Sequence, residues 1–236
     1  MWWNAALVVF ACAGEDARSA DEPGAASVAV QDTPRIADGA GDGESVLFVG
    51  TSLTAGLGVQ PEDAYPALVG ARIDSAGLPY TVVNAGSSGE TSAGALQRMD
   101  WLIQHRDFDV LVLETGANDG LRGLPIEGTM ANIDAIIRKV GDARPDAKIL
   151  LVQMEAPPNL GGAYTSAFRA MFSTLAARHG LTLVPFLLEG VAGVDSLNQA
   201  DGIHPNEAGH RMLAATVWQA LEPVLARREV LPPEIE

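Results

Sequence analysis

The sequence predicts an α/β domain built on a five-stranded parallel sheet. Between Ser45 and Leu225, short β-branched runs alternate with longer amphipathic ones, the pattern of strands joined by crossover helices. The 236 residues, 47% of them hydrophobic, are enough for one well-buried domain and few for two. Gly77 and Gly180 stand where helices should stop, because glycine accepts the left-handed conformation of a helix C-cap.

The strands are expected at Val46–Val49, Thr81–Val83, Val110–Glu114, Lys148–Gln153 and Leu181–Pro185. Helices are expected at Ala64–Ser75, Ser92–Gln104, Ile126–Val140 and Thr165–His179, with a last one at Asn206–Leu225. This domain, residues 45–228, shows no repeat and no second composition. Before it, residues 13–44 carry eight Asp or Glu against two Arg among Ala, Gly, Ser and Pro, and read as a flexible, self-repelling tether. Residues 229–236, with Pro232 and Pro233, read as a frayed tail.

Residues 1–12 form an apolar run, shorter than the about 20 residues needed to cross a bilayer, and resemble the apolar core of a signal peptide. The stretch Val9-Phe10-Ala11-Cys12 is similar to a bacterial lipobox, which would make Cys12 a lipid-bearing membrane tether. No Lys or Arg precedes the apolar run, so an ordinary secretion signal or a misplaced start stands beside that reading. Either signal implies a secreted or periplasmic protein. Cys12 is the single cysteine, so no internal disulfide can form. The formal net charge of −15, with 15 Lys and Arg, argues against a nucleic-acid partner, which needs clustered cations.

Four motifs fall in order along the chain: Gly50-Thr51-Ser52-Leu53, Asn84-Ala85-Gly86, Gly116-Ala117-Asn118-Asp119 and Asp201-Gly202-Ile203-His204. The first three each follow an expected strand, so a parallel sheet would bring them to its carboxyl edge, where open α/β sheets bind ligands. Together they supply the parts of a serine hydrolase. Ser52 could attack an acyl carbon, His204 could take its proton and Asp201 could orient the imidazole, while the Gly86 N–H and the Asn118 amide could hold the oxyanion. Taken singly, Ser52 would be a helix N-cap, Gly86 and Asn118 turn residues, and His204 an incidental histidine. His204 precedes Pro205, which keeps it out of a helix and suits the first position of the helix near Asn206. His179 fits a cation at a helix C-terminus, and His105 lies in a polar segment. A zinc site from His204, Glu207 and His210 is disfavoured, because a six-residue separation leaves the histidines about 120° apart around a helix.

These residues resemble the SGNH, or GDSL-type, hydrolases, in particular the bacterial acyl-thioesterase, arylesterase and lysophospholipase branch. The resemblance runs from Val46 to about Leu225 and includes Gly-Thr-Ser-Leu-Thr-Ala-Gly-Leu-Gly from Gly50 and Asn-Gln-Ala-Asp-Gly-Ile-His-Pro-Asn from Asn198. It implies a flavodoxin-like three-layer α/β/α sandwich. It places the nucleophile on Ser52, the base and its orienter on His204 and Asp201, and the oxyanion donors on the Ser52 N–H, Gly86 and Asn118. It implies no cofactor and no metal, a small-molecule or lipid ester as substrate, and an acyl-enzyme on Ser52 in the cleavage of aryl esters, acyl thioesters or lysophospholipids. The family's first motif normally has Asp before the serine; here that residue is Thr51.

Four other readings compete. A degenerate binding module of the same fold would carry Thr51 as its mark of decay, and an acetyl-esterase acting on carbohydrate would share every motif. An α/β-hydrolase would need the Gly-x-Ser-x-Gly elbow, and a nucleotide-binding domain would need a Gly-Lys-Ser/Thr ending after Gly50; neither occurs. Leu121, Leu160 and Val191 are expected near the mouth of the site, where apolar side chains would favour an acyl chain.

Overall fold

The computed structural model describes residues 44–226. The signal-like segment with Cys12, the tether before Glu44 and the tail at 229–236 lie outside the described residues. Strands β1 (Glu44–Gly50), β2 (Tyr80–Gly86), β3 (Val110–Leu113), β4 (Lys148–Val152) and β5 (Thr182–Val184) form one all-parallel sheet in the order β2-β1-β3-β4-β5. The helices are α1 (Ser52–Ala55), α2 (Tyr65–Ser75), α3 (Ser92–His105), α4 (Ala117–Leu121), α5 (Ile126–Ala143), α6 (Gly162–His179) and α7 (Glu207–Ala226).

The strand order sets the layers. The chain steps from β1 to β2 on one side, then crosses β1 to reach β3, and continues through β4 to β5. Right-handed crossovers therefore put α2 on one face of the sheet and α3, α5 and α6 on the other. The packing agrees, for α2 lies against α7 while α3 packs on α5 and α5 on α6. With both faces covered, Val46–Val49 and Val110–Leu113 are wholly buried, which is why these strands read as continuous apolar runs. Tyr65, Ile73, Leu213 and Val217 close the core on one face, and Met99, Ile133, Phe168 and Phe172 on the other.

Three local features depart from the expected elements. β2 runs on to Gly86, because Asn84–Gly86 pair in register with Phe48–Gly50 of β1. α1 and α4 are too short to leave a periodic signal, and both occupy the crevice beyond β1 and β3 where the strand order reverses. Pro205 does not open the last helix: it forms an isolated antiparallel bridge with Asn198, and Asn206 caps α7 by accepting the Ala208 and Gly209 N–H groups on its side-chain oxygen. An Asn side chain offers the acceptor that a helix start requires and a proline lacks.

His210 belongs to the packing. It is buried, stacks on Tyr65 at 6.4 Å between ring centroids, and accepts the Tyr65 N–H on Nδ1 at 3.2 Å. Burial, partly offset by Asp63, pushes its pKa from 6.5 down to about 4. The unfolded chain therefore takes up this proton first, so the contribution of neutral His210 is complete above pH 6.5 and is lost as pH falls toward about 4. We expect the stability advantage of the wild type over His210→Phe, read from urea midpoints, to narrow between pH 7 and pH 5. A constant difference would show that the ring does not titrate in that window.

Candidate active site

Ser52 is the first residue of α1, directly beyond β1, and is buried to 9% exposure. The helix is capped by Thr51, whose hydroxyl oxygen accepts the Leu53 N–H at 3.5 Å, so the serine hydroxyl is not used as the cap. Ser52 Oγ lies 3.0 Å from His204 Nε2, and His204 Nδ1 lies 2.6 Å from Asp201 Oδ2. The other oxygen of Asp201 accepts the backbone N–H groups of Ile203 and His204 at 2.9 and 3.0 Å. The His204 bonds, first that of the side chain and then that of the backbone, hold the Asp201 carboxyl well below the usual carboxylate range. An acid charged at all working pH values is thus fixed on Nδ1. That contact keeps the Nδ1 proton in place and turns the lone pair of Nε2 toward the serine.

The loop that carries the histidine is tied to the loop that follows the serine. Gln199 donates through its side-chain amide to Leu57 O at 2.7 Å and Pro205 O at 2.9 Å, while its backbone N–H donates to His204 O at 2.8 Å. Gly58, at φ +83°, has no side chain because a Cβ there would strike the Gln199 amide. One polar residue thereby couples the two halves of the site.

The three positions expected to hold an oxyanion differ in how far their donors are available. As the first residue of a helix, Ser52 has an N–H with no intrahelical partner. The Asn118 side chain donates to Glu90 O at 2.9 Å through Nδ2, an amide that carries a second hydrogen. Glu90 is itself clamped by Arg98 through two contacts of 2.6 and 2.8 Å. The neighbouring Asp119 is buried and accepts Ser92 N, Ser92 Oγ and Thr129 Oγ1, anchoring α4 to α3 and α5. The Gly86 N–H, in contrast, donates to Asn84 Oδ1 at 2.9 Å, so an oxyanion would have to share or displace that bond. The absence of a side chain at Gly86 has its own reason, since a Cβ would collide with the backbone of Thr54 and Ala55 in α1. We expect Asn118→Ala to lower kcat on p-nitrophenyl esters by about 10²–10³-fold with little change in Tm, as for loss of one oxyanion donor; an unchanged kcat would remove Asn118 from that role.

The remaining histidines have other partners. His179 Nε2 lies 2.7 Å from Asp134, and His105 Nδ1 lies 2.9 Å from Trp101 O. His210 commits Nδ1 to the Tyr65 N–H, which leaves it unable to join His204 and Glu207 through that nitrogen. Val191 is wholly buried in the core and does not line a mouth, and its carbonyl accepts from the Asn198 side chain. Leu160 packs against the core, while Leu121 is half exposed.

Sequence reasoning missed Asn84, Gln199, Asp119 and Glu114. Glu114 alone left a signal: an acid closing the apolar run Val110–Leu113 must be buried with donors around it. Asn84 lies near the end of a strand, Gln199 in a loop and Asp119 in a short helix, and each has at least one partner ten or more residues away.

Compared with known proteins, residues 48–212 match the family model described as the GDSL-like lipase/acylhydrolase family. The chain is 41% identical over 183 residues to esterase TesA of Pseudomonas aeruginosa, covering 77% of this chain and 90% of that protein. It is 34% identical over 182 residues to thioesterase 1/protease 1/lysophospholipase L1 of Escherichia coli K12, covering 77% and 85%. Its fold is similar to the crystal structure of the psychrotrophic esterase EstA from Pseudoalteromonas sp. inhibited by monoethylphosphonate, with a TM-score of 0.73, 31% identity, and coverage of 78% of this chain and 99% of that one.

Proposed function

Because this chain belongs to the GDSL-like lipase/acylhydrolase family, we propose that it hydrolyses carboxylic esters and thioesters through an acyl-enzyme on Ser52. The observation that carries the assignment is the unbroken line from Ser52 Oγ through the His204 ring to the Asp201 carboxylate. Ser52 Oγ bonds to the acyl carbon as its proton passes to His204 Nε2. The resulting tetrahedral oxyanion is held by the Ser52 N–H and the Asn118 amide, with Gly86 joining if Asn84 yields its bond. Collapse expels the alcohol or thiol, which takes the proton from His204. Water, deprotonated by the same nitrogen, then releases the acid and restores the serine.

The named activities of the relatives, esterase and thioesterase/lysophospholipase, support an acyl substrate here. Leu121 and Ile203 offer apolar surface beside the site: each is about half exposed, at 50% and 52%, one in the helix that carries Asn118 and the other next to His204. Residues 45–228 would form the hydrolase domain, carried behind a secretion signal on the acidic segment 13–44, with Cys12 as the point of any lipid tether. Among the described residues no helix is long and apolar enough to cross a membrane.

The test is hydrolysis of p-nitrophenyl esters from acetate to palmitate by the full chain, together with mass mapping after treatment with a fluorophosphonate. Turnover and a single adduct on Ser52 are the expected results. An adduct elsewhere, or a folded protein inert toward all the esters, would overturn the assignment.

A further inference from the structure

Beneath the nucleophile lies a carboxyl group that the mechanism above does not use. Glu114 follows β3, is wholly buried, and stands one residue away from Ser52 in space, against Thr51. Its carboxylate collects the Thr51 N–H at 2.8 Å, the Thr51 hydroxyl at 3.0 Å from both oxygens, and the Thr54 hydroxyl at 2.9 Å. Thr54 Oγ1 lies 2.8 Å from the buried Tyr65 phenol; with the Thr54 proton given to Glu114, the phenol is the donor, and the chain reads Tyr65 to Thr54 to Glu114. Thr51 and Thr54 bracket Ser52 and Leu53, so the bonds to Glu114 grip α1 from below at its cap and its third residue. Gly50 leaves room for the grip, since a Cβ there would collide with the Thr54 hydroxyl and the Glu114 carboxylate.

We propose that Glu114 is a positioning residue, which holds α1 through Thr51 and Thr54 and so aims the Ser52 hydroxyl at His204. The inference rests on the reading of Ser52 as nucleophile. It also gives Thr51 a task in place of the family's Asp. A hydroxyl donates to a buried carboxylate, whereas a second carboxylate could do so only by holding a proton.

Such a residue is costly to keep. Burial pushes the Glu114 carboxyl up to about 7 against the opposing pull of its Thr51 and Thr54 donors, and the Glu114 charge in turn adds to the burial that raises Tyr65. With the folded pKa raised, the folded state binds the proton more tightly than the unfolded chain. Stability at this position is therefore full below the ordinary value of 4.5 and declines as pH rises through about 7. A purely structural role would be better served by a neutral side chain at neutral pH.

The decisive measurement compares the full-chain wild type with Glu114→Gln, Thr51→Val and Thr51→Ser, by kcat and KM on p-nitrophenyl butyrate, by the rate of fluorophosphonate labelling of Ser52, and by Tm at pH 8. Glu114→Gln keeps the shape but turns an amide N–H toward the threonine donors. We expect kcat and labelling to fall about 10- to 100-fold with KM nearly unchanged, the scale of a misaimed reacting group, while Tm at pH 8 holds or rises. Thr51→Val should slow labelling, and Thr51→Ser should restore most of the loss. If Glu114→Gln does not fold, the Val and Ser pair decides: slowed labelling in Thr51→Val that Thr51→Ser does not share supports the proposal. Wild-type labelling rates in both Glu114→Gln and Thr51→Val would overturn it, as would a loss of labelling in Thr51→Val matched by an equal loss of folded protein. Failure of the wild type itself to label at Ser52 is a separate result, which removes the nucleophile assignment first.

Discussion

In the Ser52→Ala variant, hydrolysis of p-nitrophenyl butyrate is expected to fall by about 10⁴-fold or more, as when the nucleophile of a serine triad is removed. The chain's single cysteine, Cys12, lies before the acidic segment, so no thiol of the folded domain can stand in for the hydroxyl. The residual rate would come from water delivered by His204 and from the oxyanion donors, which the substitution leaves in place. The fold should tolerate the change well. The cap of α1 is Thr51, and the serine hydroxyl bonds to His204 and to no element of the core. Circular dichroism and Tm close to wild type, with activity near background, is the expected pair of results. A folded variant retaining several per cent of the rate would place the nucleophile elsewhere.

The second large effect is expected at Asp201. Asp201→Asn should lower kcat by up to about 10⁴-fold, the scale seen when the orienting acid of a triad becomes an amide. The amide oxygen can still accept the Ile203 and His204 N–H groups, so the turn should survive. Its NH₂, however, would face His204 Nδ1 in place of a carboxylate oxygen now 2.6 Å away, and Nδ1 would have to become the acceptor. The proton then moves to Nε2, where it points at Ser52 and cannot receive another. The pH profile separates this from simple unfolding. Because the His204 bonds keep Asp201 ionised far below neutrality, the acid limb of wild-type kcat should not report Asp201. Its stabilising contribution is present at neutral pH and above, and is lost only as pH falls below the ordinary carboxylate range. An Asp201→Asn variant with near-wild-type kcat would show that the ring is oriented by its loop alone, through Gln199 and the Asn198–Pro205 bridge.

Part of the site could be read without coordinates because one of the two links between Ser52, His204 and Asp201 is local. Asp201 and His204 are three residues apart, within one turn, so their contact depends on few dihedral angles. The alternation of strands and helices gave the parallel sheet, and a parallel sheet places the ends of β1, β2 and β3 on one edge. The failures follow the same logic. Pro205 suits a helix start, but in the fold it bridges Asn198, and Asn206 supplies the acceptor that capping needs. Val191 looked like a mouth residue because it is apolar in a loop, yet the loop buries it.

By itself, the sequence determined the α/β class and the places of the five strands, and it singled out Ser52, Asp201 and His204 as candidates, since periodicity, turn chemistry and motif spacing are written within a few residues. Only the tertiary structure decided the contact between Ser52 and His204 across 152 positions, the commitment of the Gly86 N–H to Asn84, and the seat of Glu114 beneath Thr51. Those contacts depend on which strands are neighbours and how closely a glycine lets two backbones approach, and such distances are set by packing between segments that are remote along the chain.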